Sequence, residues 1–443
     1  MNAPLRTRVR ALRRRRAEGR GFTLLELLVA VVAGLFVVMA AFLLARGSTS
    51  LFGSENNAGT AQLNLRLGLD RLRSDISRAG YMTTPNVALD PDVCPRPSPM
   101  IRLQSIYLQQ GGSYVDTKAG SDLNGLNPDS IIVTGNFSGT DQYLVSSVEP
   151  GGASGAIVYL QRNFGAVQRL LTTAGGDGGG AGVALSTQNV LDATFPKGKY
   201  LRIVNPLGAS QFMIINGASM TTLSGSGALV PTVQIAAMPV AVDPANPNKR
   251  CGISGYGLGS TVNTVDFVRY SLRNLSALAP WAYSSPVGDS GAGQPEKYDL
   301  VRSEVKADGS DDVPTGTATG PVPMQIVAEY VVDMKFAFTT DSGTVTTGAF
   351  REPKLVVYPF DDPTGVALAG DVTPAGSTAA PQRIRSVRYQ ITTRTAYADR
   401  SDPIGEAGSG LLRYRMPPLG AFYARARTDV GEITLLNQRG VTW

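Results

Sequence analysis

The chain contains no histidine among its 443 residues. Histidine is the commonest general base near neutral pH and a frequent zinc ligand, so Ser-His-Asp and Cys-His nucleophile systems and His-ligated zinc are excluded. Carboxylates are too many and too scattered for their spacing to indicate a catalytic pair. The sequence therefore predicts a protein that is not an enzyme, with no catalytic, cofactor-binding or metal site.

Cysteine is scarce, since only Cys94 and Cys251 are present. They lie far apart and form no CxxC motif, which argues against a thiolate zinc site or a thioredoxin-like redox pair. In an oxidising compartment, one long-range disulfide between them is favoured. Two unpaired buried thiols are the alternative.

Positive charge is concentrated at the N-terminus. Residues 1–21 contain eight arginines against the single Glu18, whereas the remainder has 33 basic and 34 acidic residues and is nearly balanced. A broad electropositive face is therefore not expected, and nucleic acid is not a predicted partner.

A long apolar run follows these arginines. From Leu27 to Ala45, 19 residues carry no charge, and as a helix they span about 28 Å, close to the hydrocarbon thickness of a bilayer. By the positive-inside rule, residues 1–21 stay in the cytoplasm, residues 22–45 cross the membrane, and the chain beyond Arg46 is exported. The run is too long for an ordinary signal peptide and is followed by a poor cleavage site. A plain signal anchor would leave Glu26 unexplained, because a membrane-buried carboxylate costs about 2.5–3.5 kcal/mol at mid-helix and less near the interface.

The next segment, residues 46–80, has the pattern of an amphipathic helix. Charged residues, Asp75 among them, lie largely between its apolar positions. These apolar positions recur every three or four residues, at Leu65, Leu69, Leu72 and Ile76. Gly80 indicates the helix end. Several glycines between Arg46 and Thr60 favour interruptions there. We predict one long, interrupted helix from Phe22 to about Ala79 with its second half packed on a globular domain; an ordinary surface helix is the alternative.

Beyond Gly80, residues 81–443 show short apolar runs separated by glycine, proline, serine and asparagine, which is typical of β structure with long loops. The strand candidates are 131–137, 156–160, 200–204, 211–215, 265–272, 332–338 and 387–395. In 332–338, alternation places Val332, Met334, Phe336 and Phe338 on one face and Asp333 and Lys335 on the other. In 387–395, it places Val387, Tyr389 and Ile391 opposite Arg388, Gln390 and Arg394. The predicted fold class is α+β, with a long N-terminal helix on a large, mainly antiparallel β domain.

Three other motifs have simple interpretations. The glycine-rich run at 174–182 lacks the strand and helix of a dinucleotide-binding loop, so it is predicted to be a flexible loop. The acidic cluster at 308–312 lacks the EF-hand spacing, which favours a solvated turn over a calcium site. The four arginines at 13–16 are interpreted as part of the topological signal.

The segment GFTLLELL at residues 21–28 resembles the class III signal of type IV pilins and type II secretion pseudopilins. The resemblance implies that a prepilin peptidase cuts between Gly21 and Phe22 and methylates the new N-terminal residue. Glu26 then becomes the fifth residue of the mature chain, and the family implies that it pairs with the free N-terminal amine of a neighbouring subunit. Two opposite charges buried among apolar helices are acceptable only together, so Glu26 would set the register of assembly.

Four further segments narrow the resemblance to minor pilins of the PilW family: DISRAGY (75–81), VVDMKFAFTTD (331–341), SVRYQITTRT (386–395) and ITLLNQRG (433–440). The similarity is strong over residues 19–81, modest in the C-terminal third and absent from about 95 to 260, which is interpreted as a variable insertion. It implies a pilin-like fold without cofactors and a role in priming pilus assembly at or near the tip. The implied partners are the prepilin peptidase, other minor pilins, the major pilin, a PilY-type tip adhesin and the inner membrane. The β domain would be periplasmic before it joins the surface fibre.

Three other functions remain open. A type II secretion pseudopilin of the GspJ type resembles the PilW family in its helix and strand order. A tip adhesin would bind a surface through the 95–260 insertion. A membrane-anchored periplasmic enzyme is disfavoured by the absence of histidine and by Glu26.

Overall fold

The structure is a computed structural model, and it describes residues 23–94, 103–111, 124–151, 155–162, 165–173, 187–222, 229–236, 251–252, 255–275, 297–305, 324–342, 354–372, 378–397, 413–416, 423–439 and 441. The predictions for Gly21, Phe22 and the motifs at 174–182 and 308–312 lie outside these residues. The chain divides into two units, Met1–Asn56 and Asn57–Trp443. It belongs to the α+β class, with a long apolar N-terminal helix followed by a large, mainly antiparallel β domain.

The first helix, α1 (Leu24–Ser77), is 54 residues long. Its part from Leu24 to Gly53 contains an 18-residue window with a mean hydropathy of 3.0 and is long and apolar enough to cross a membrane. Of the bends or local melting predicted between Arg46 and Thr60, the melting is wrong, because α1 is helical throughout this stretch, and the bends stay a prediction. Glycine lowers helix stability by about 1 kcal/mol relative to alanine but keeps its backbone N–H, so glycines alone need not break a helix.

The C-terminal part of α1 belongs to the second unit, where its apolar stripe is buried. Leu65, Leu69, Leu72 and Ile76 are at most 4% exposed, as the spacing predicts. Gly80 has a φ of +77°, a conformation that glycine adopts easily, and it follows the end of α1 as predicted.

The first sheet contains ten strands within the described residues. They are β1 (Ile106–Gln109), β2 (Ser130–Gly135), β3 (Tyr143–Pro150), β4 (Gly155–Leu160), β5 (Tyr200–Val204), β6 (Ser210–Thr222), β7 (Leu229–Ala236), β8 (Thr261–Arg273), β9 (Asp299–Val305) and β10 (Met324–Ala328). All the ladders are antiparallel. The five strands predicted between 131 and 272 are confirmed; β5 has the predicted bounds, and the other four have shifted ends.

Strand β8 belongs to two parts of this sheet. Its C-terminal half lies between β2 and β9, with β1 and β10 outside them. Its residues 261–265 pair with β5, and residues 261 and 262 also pair with β3, which closes a ring in the order β8-β3-β4-β7-β6-β5. The interior of the ring is apolar, with Val145, Val158, Leu201 and Val233 fully buried. The helices α2 (Gly165–Thr173) and α3 (Thr187–Thr194) contribute to the same apolar cluster.

The second sheet has the order β12-β11-β13-β15-β14. Its strands are β11 (Val331–Asp341), β12 (Leu355–Val357), β13 (Ile384–Arg394), β14 (Arg413–Arg415) and β15 (Tyr423–Thr434), and the short helix α4 (Pro363–Leu368) follows β12. The largest core is formed by the second half of α1, the β1, β2, β8 and β9 part of the first sheet, and strands β11, β13 and β15.

The two strands that the sequence predicts most clearly are confirmed, but three side chains were assigned wrongly. Met334, Phe336 and Phe338 lie in the main core, whereas Val332 packs in a separate cluster with Tyr414 because the register shifts between Val331 and Asp333. Asp333 is only 4% exposed, and Arg394 is buried with its guanidinium 5.1 Å from the ring centre of Tyr330. Alternation predicted both as solvent-facing.

Candidate functional site

The start of α1 is closed by a reciprocal pair of hydrogen bonds between Thr23 and Glu26. The Glu26 backbone N–H donates to Thr23 Oγ1 (3.2 Å), and Glu26 Oε2 accepts from the Thr23 backbone N–H (3.1 Å) and hydroxyl (3.2 Å). This is a capping box, in which an N-cap threonine and a glutamate three residues later satisfy each other's backbone donors. A negative charge in the first helical turn also interacts favourably with the helix dipole.

Glu26 therefore has a partner within its own chain, which the sequence analysis missed. The signal was the T-x-x-E pattern of residues 23–26 directly before an apolar run. Nothing in this geometry tests the predicted pairing with a second subunit. Glu26 is exposed, so its carboxylate can accept a further donor.

The helix after this cap presents a continuous apolar surface. None of its membrane-length stretch is buried, and Leu35, Phe36 and Phe42 are each more than 60% exposed. Exposed apolar patches of this size are unusual in soluble monomers and mark surfaces that bind a membrane or another apolar surface. The first unit is thus suited to insertion and association.

In the second unit, a buried polar cluster attaches the end of α1 to the first sheet. Asp75 is 1% exposed and its Oδ2 accepts hydrogen bonds from Tyr270 Oη (2.7 Å) in β8 and Arg302 Nε (2.6 Å) in β9. Burial and the neighbouring carboxylate raise the pKa of Tyr270. Burial opposes the charge on Arg302, but the hydrogen bond and charge of Asp75 outweigh it and raise the pKa of Arg302. Asp75 lies between the apolar positions of the amphipathic pattern, which predicts a solvent-facing side chain, and this prediction is wrong.

A second polar contact joins α1 to the second sheet. The Arg73 guanidinium lies 5.5 Å from the ring centre of Tyr389 in β13, and its Nε donates to Tyr389 Oη (3.0 Å). Gly431 in β15 is opposite Tyr389, and a Cβ at Gly431 would overlap the tyrosine ring. Glycine at 431 therefore makes room for the ring that receives Arg73.

Cys94 and Cys251 form a disulfide with a Cα–Cα distance of 5.8 Å. Both are at most 2% exposed, in the apolar cluster of the ring of strands. The Cys94 backbone N–H donates to Ser210 O (2.8 Å) in β6. The bond thus fixes the segment that follows α1 to the ring, across a sequence separation of 157 residues.

Within the described part of the chain, no group of three or more cysteine, aspartate or glutamate side chains is arranged to hold a metal ion. Comparison of the chain with protein-family models, with curated proteins and with solved structures finds no match.

Proposed function

We propose that the chain is a minor pilin of the PilW type that takes part in priming and assembling a type IV pilus. The observation that carries the proposal is the order of features along the chain: GFTLLE, an exposed membrane-length helix, and the continuation of that helix in the core of a β domain. A helix that first anchors a subunit and then packs with its neighbours needs an apolar, unpartnered surface of this kind.

Maturation begins with the precursor in the inner membrane, its arginines in the cytoplasm and its β domain in the periplasm. Prepilin peptidase cuts after Gly21 and methylates Phe22. The cut leaves the Thr23 backbone and hydroxyl in place, so the cap on Glu26 survives it. Cleavage also creates a new positive charge at Phe22, four residues before the helical carboxylate of Glu26.

Assembly then moves the apolar helix from lipid into a bundle with other minor pilins and the major pilin. The exposed Glu26 carboxylate accepts the amine of an adjacent subunit while it keeps its own cap. An isolated charge in such a bundle is costly, and a matched pair is tolerated. The tip position and a PilY-type adhesin as partner are parts of the same proposal.

Processing is tested by the N-terminal sequence and mass of the protein from membranes, with and without the prepilin peptidase. We expect a mature chain that begins at methylated Phe22 in the peptidase-positive strain and an uncut chain in its absence. An uncut chain in both strains, or a cut after Ala45, would identify a signal anchor or a secreted protein and would refute the proposal.

The role of Glu26 is tested by two substitutions that separate its charge from its cap. Glutamine also completes a capping box, so Glu26→Gln removes the charge and keeps the cap, whereas Thr23→Ala removes the hydroxyl and keeps the charge. We expect Glu26→Gln to lower incorporation into pili at least tenfold at equal membrane levels, and Thr23→Ala to assemble nearly normally. The reverse order of effects would show that Glu26 serves the helix alone.

A tip adhesin is a second candidate, favoured by the ring of strands that residues 143–265 build where the family resemblance is absent. Deletion of the gene separates these functions from a GspJ-type pseudopilin. Loss of surface pili supports the priming role, loss of adhesion by piliated cells supports the adhesin, and loss of exoprotein secretion supports the pseudopilin.

A further inference from the structure

A cavity of about 650 Å³ lies against strands β11 and β13 in the second unit. Its volume is in the range of small-molecule sites. Three amide side chains line it, namely Gln110, Asn127 and Gln390, together with the ring of Phe360. Amides both donate and accept hydrogen bonds, so these walls suit a ligand that carries hydroxyl or amide groups.

The charged groups at the cavity are unequal in number. Lys335 Nζ lies 2.8 Å from Asp361 Oδ1 and 3.7 Å from Asp129 Oδ1, and Asp333 is two residues away on the same strand. Asp129 is further occupied, because it accepts the backbone N–H groups of Gly111 (3.2 Å) and Phe336 (3.1 Å). The Lys335 ammonium thus pairs with Asp361 and Asp129, and of these two only Asp361 lines the cavity with Asp333.

Asp333 is the carboxylate that remains incompletely satisfied. It lines the cavity and is 4% exposed, and its Oδ1 has no hydrogen-bond partner among the described residues. Burial raises its pKa to about 6, although the Lys335 ammonium and a hydrogen bond from the Met334 backbone N–H oppose this shift. A buried polar atom without a partner is rare in proteins and calls for an explanation, such as a ligand.

We propose that this cavity binds a ligand with a primary ammonium group, which pairs with Asp333 and is surrounded by the three amides. The cation is organic rather than metallic, because the Lys335 ammonium already lies between Asp129 and Asp361. A lysine side chain of a peptide and an amino sugar share this chemistry, since each places hydrogen-bonding groups near an amine. The inference does not depend on the proposed function.

The test measures binding to the full chain in detergent micelles by isothermal titration calorimetry at pH 7.5. The probes are two matched pairs: N-acetyl-lysine amide against its uncharged analogue N-acetyl-norleucine amide, and glucosamine against glucose. We expect the charged member of at least one pair to bind at least tenfold more tightly than its neutral partner. The pair with the stronger preference identifies the peptide or the sugar as the source of the amine.

Asp333→Asn is the decisive variant, because asparagine keeps the shape and removes the charge. It is expected to abolish the preference for the charged member, whereas Asp192→Asn, at an exposed carboxylate that does not line the cavity, leaves it unchanged. Absence of binding, equal binding of charged and neutral members, or binding that Asp333→Asn leaves intact would each overturn the proposal. The urea-unfolding transition of each variant verifies that it is folded.

Discussion

Buried carboxylates differ in this protein according to how many donors surround each one. Burial raises the pKa of Asp299 to about 6 despite Lys297, and it does the same to Asp333. Burial also acts on Asp266, but the charge of Lys199 and hydrogen bonds from Ser138 and Phe137 outweigh it and lower the pKa. The number of donors to a buried carboxylate, and not its burial alone, therefore decides whether its pKa is raised or lowered.

The raised pKa of Asp333 predicts how stability depends on pH. The folded state holds a proton up to about pH 6, whereas the unfolded state releases it near 3.8. Stability therefore falls as pH rises between these values, by roughly 3 kcal/mol at most. Asp333→Asn lacks this loss, so in urea unfolding we expect it to be more stable than the parent at pH 7.5 but not at pH 4. Lower stability of the variant at pH 7.5 would show that the ionised carboxylate is well paired.

The sequence anticipated individual residues unevenly. Local patterns identify groups that act within a few residues of each other, and the T-x-x-E cap of Glu26 was readable in this way although it was missed. The buried state of Asp333 and Arg394 was not readable. For Asp333 it depends on a register shift in β11. For Arg394 it depends on the rings of Tyr330 and Tyr414, which lie outside its own strand.

At the scale of elements, the second half of α1 is held by close packing as well as by polar contacts. A Cβ at Gly68 would overlap the backbone of Val327 in β10, so glycine allows the helix to approach the strand. Periodicity predicted the buried stripe around Leu69, because that stripe is a property of the helix alone. It did not predict the burial of Asp75, which requires partners on β8 and β9.

Loss of the Asp75 carboxylate should weaken this attachment strongly. Asp75→Ala leaves the buried guanidinium of Arg302 without its carboxylate and leaves Tyr270 Oη with its longer contact to Arg71 O (3.5 Å). Removing one partner of a buried ion pair costs about 3–5 kcal/mol. Asp70→Ala is the matched control, since the Asp70 side chain is 73% exposed on the same helix and pairs only at the surface with Arg73 (3.4 Å). Its expected cost in urea unfolding is below about 1 kcal/mol. Equal losses in the two variants would contradict a special role for Asp75.

At the scale of the whole molecule, the sequence predicted the α+β class and most of the strand positions, but not how the strands are arranged. Closure of the ring depends on β8, whose first residues pair with both β3 and β5 at long sequence separations. Alternation within a strand shows which face is buried and carries no information about the neighbour that covers its edge. The arrangement of the described strands between residues 95 and 260 therefore depends on pairings that no local pattern encodes.

The disulfide between Cys94 and Cys251 connects parts of the β domain that are distant in sequence. Closing a loop of 157 residues stabilises the folded state by up to about 5 kcal/mol in the chain-entropy model. Each serine variant, Cys94→Ser or Cys251→Ser, should lose most of this stability in urea unfolding. The double variant should lose no more than either single variant, since only one bond is broken.

Reductant is the control. It should lower the stability of the parent in urea unfolding to that of the double variant, and it should not affect the double variant. The stabilising role would be contradicted if the urea unfolding of the parent did not change although both cysteines had been reduced to thiols. The bond would then contribute no measurable free energy to folding.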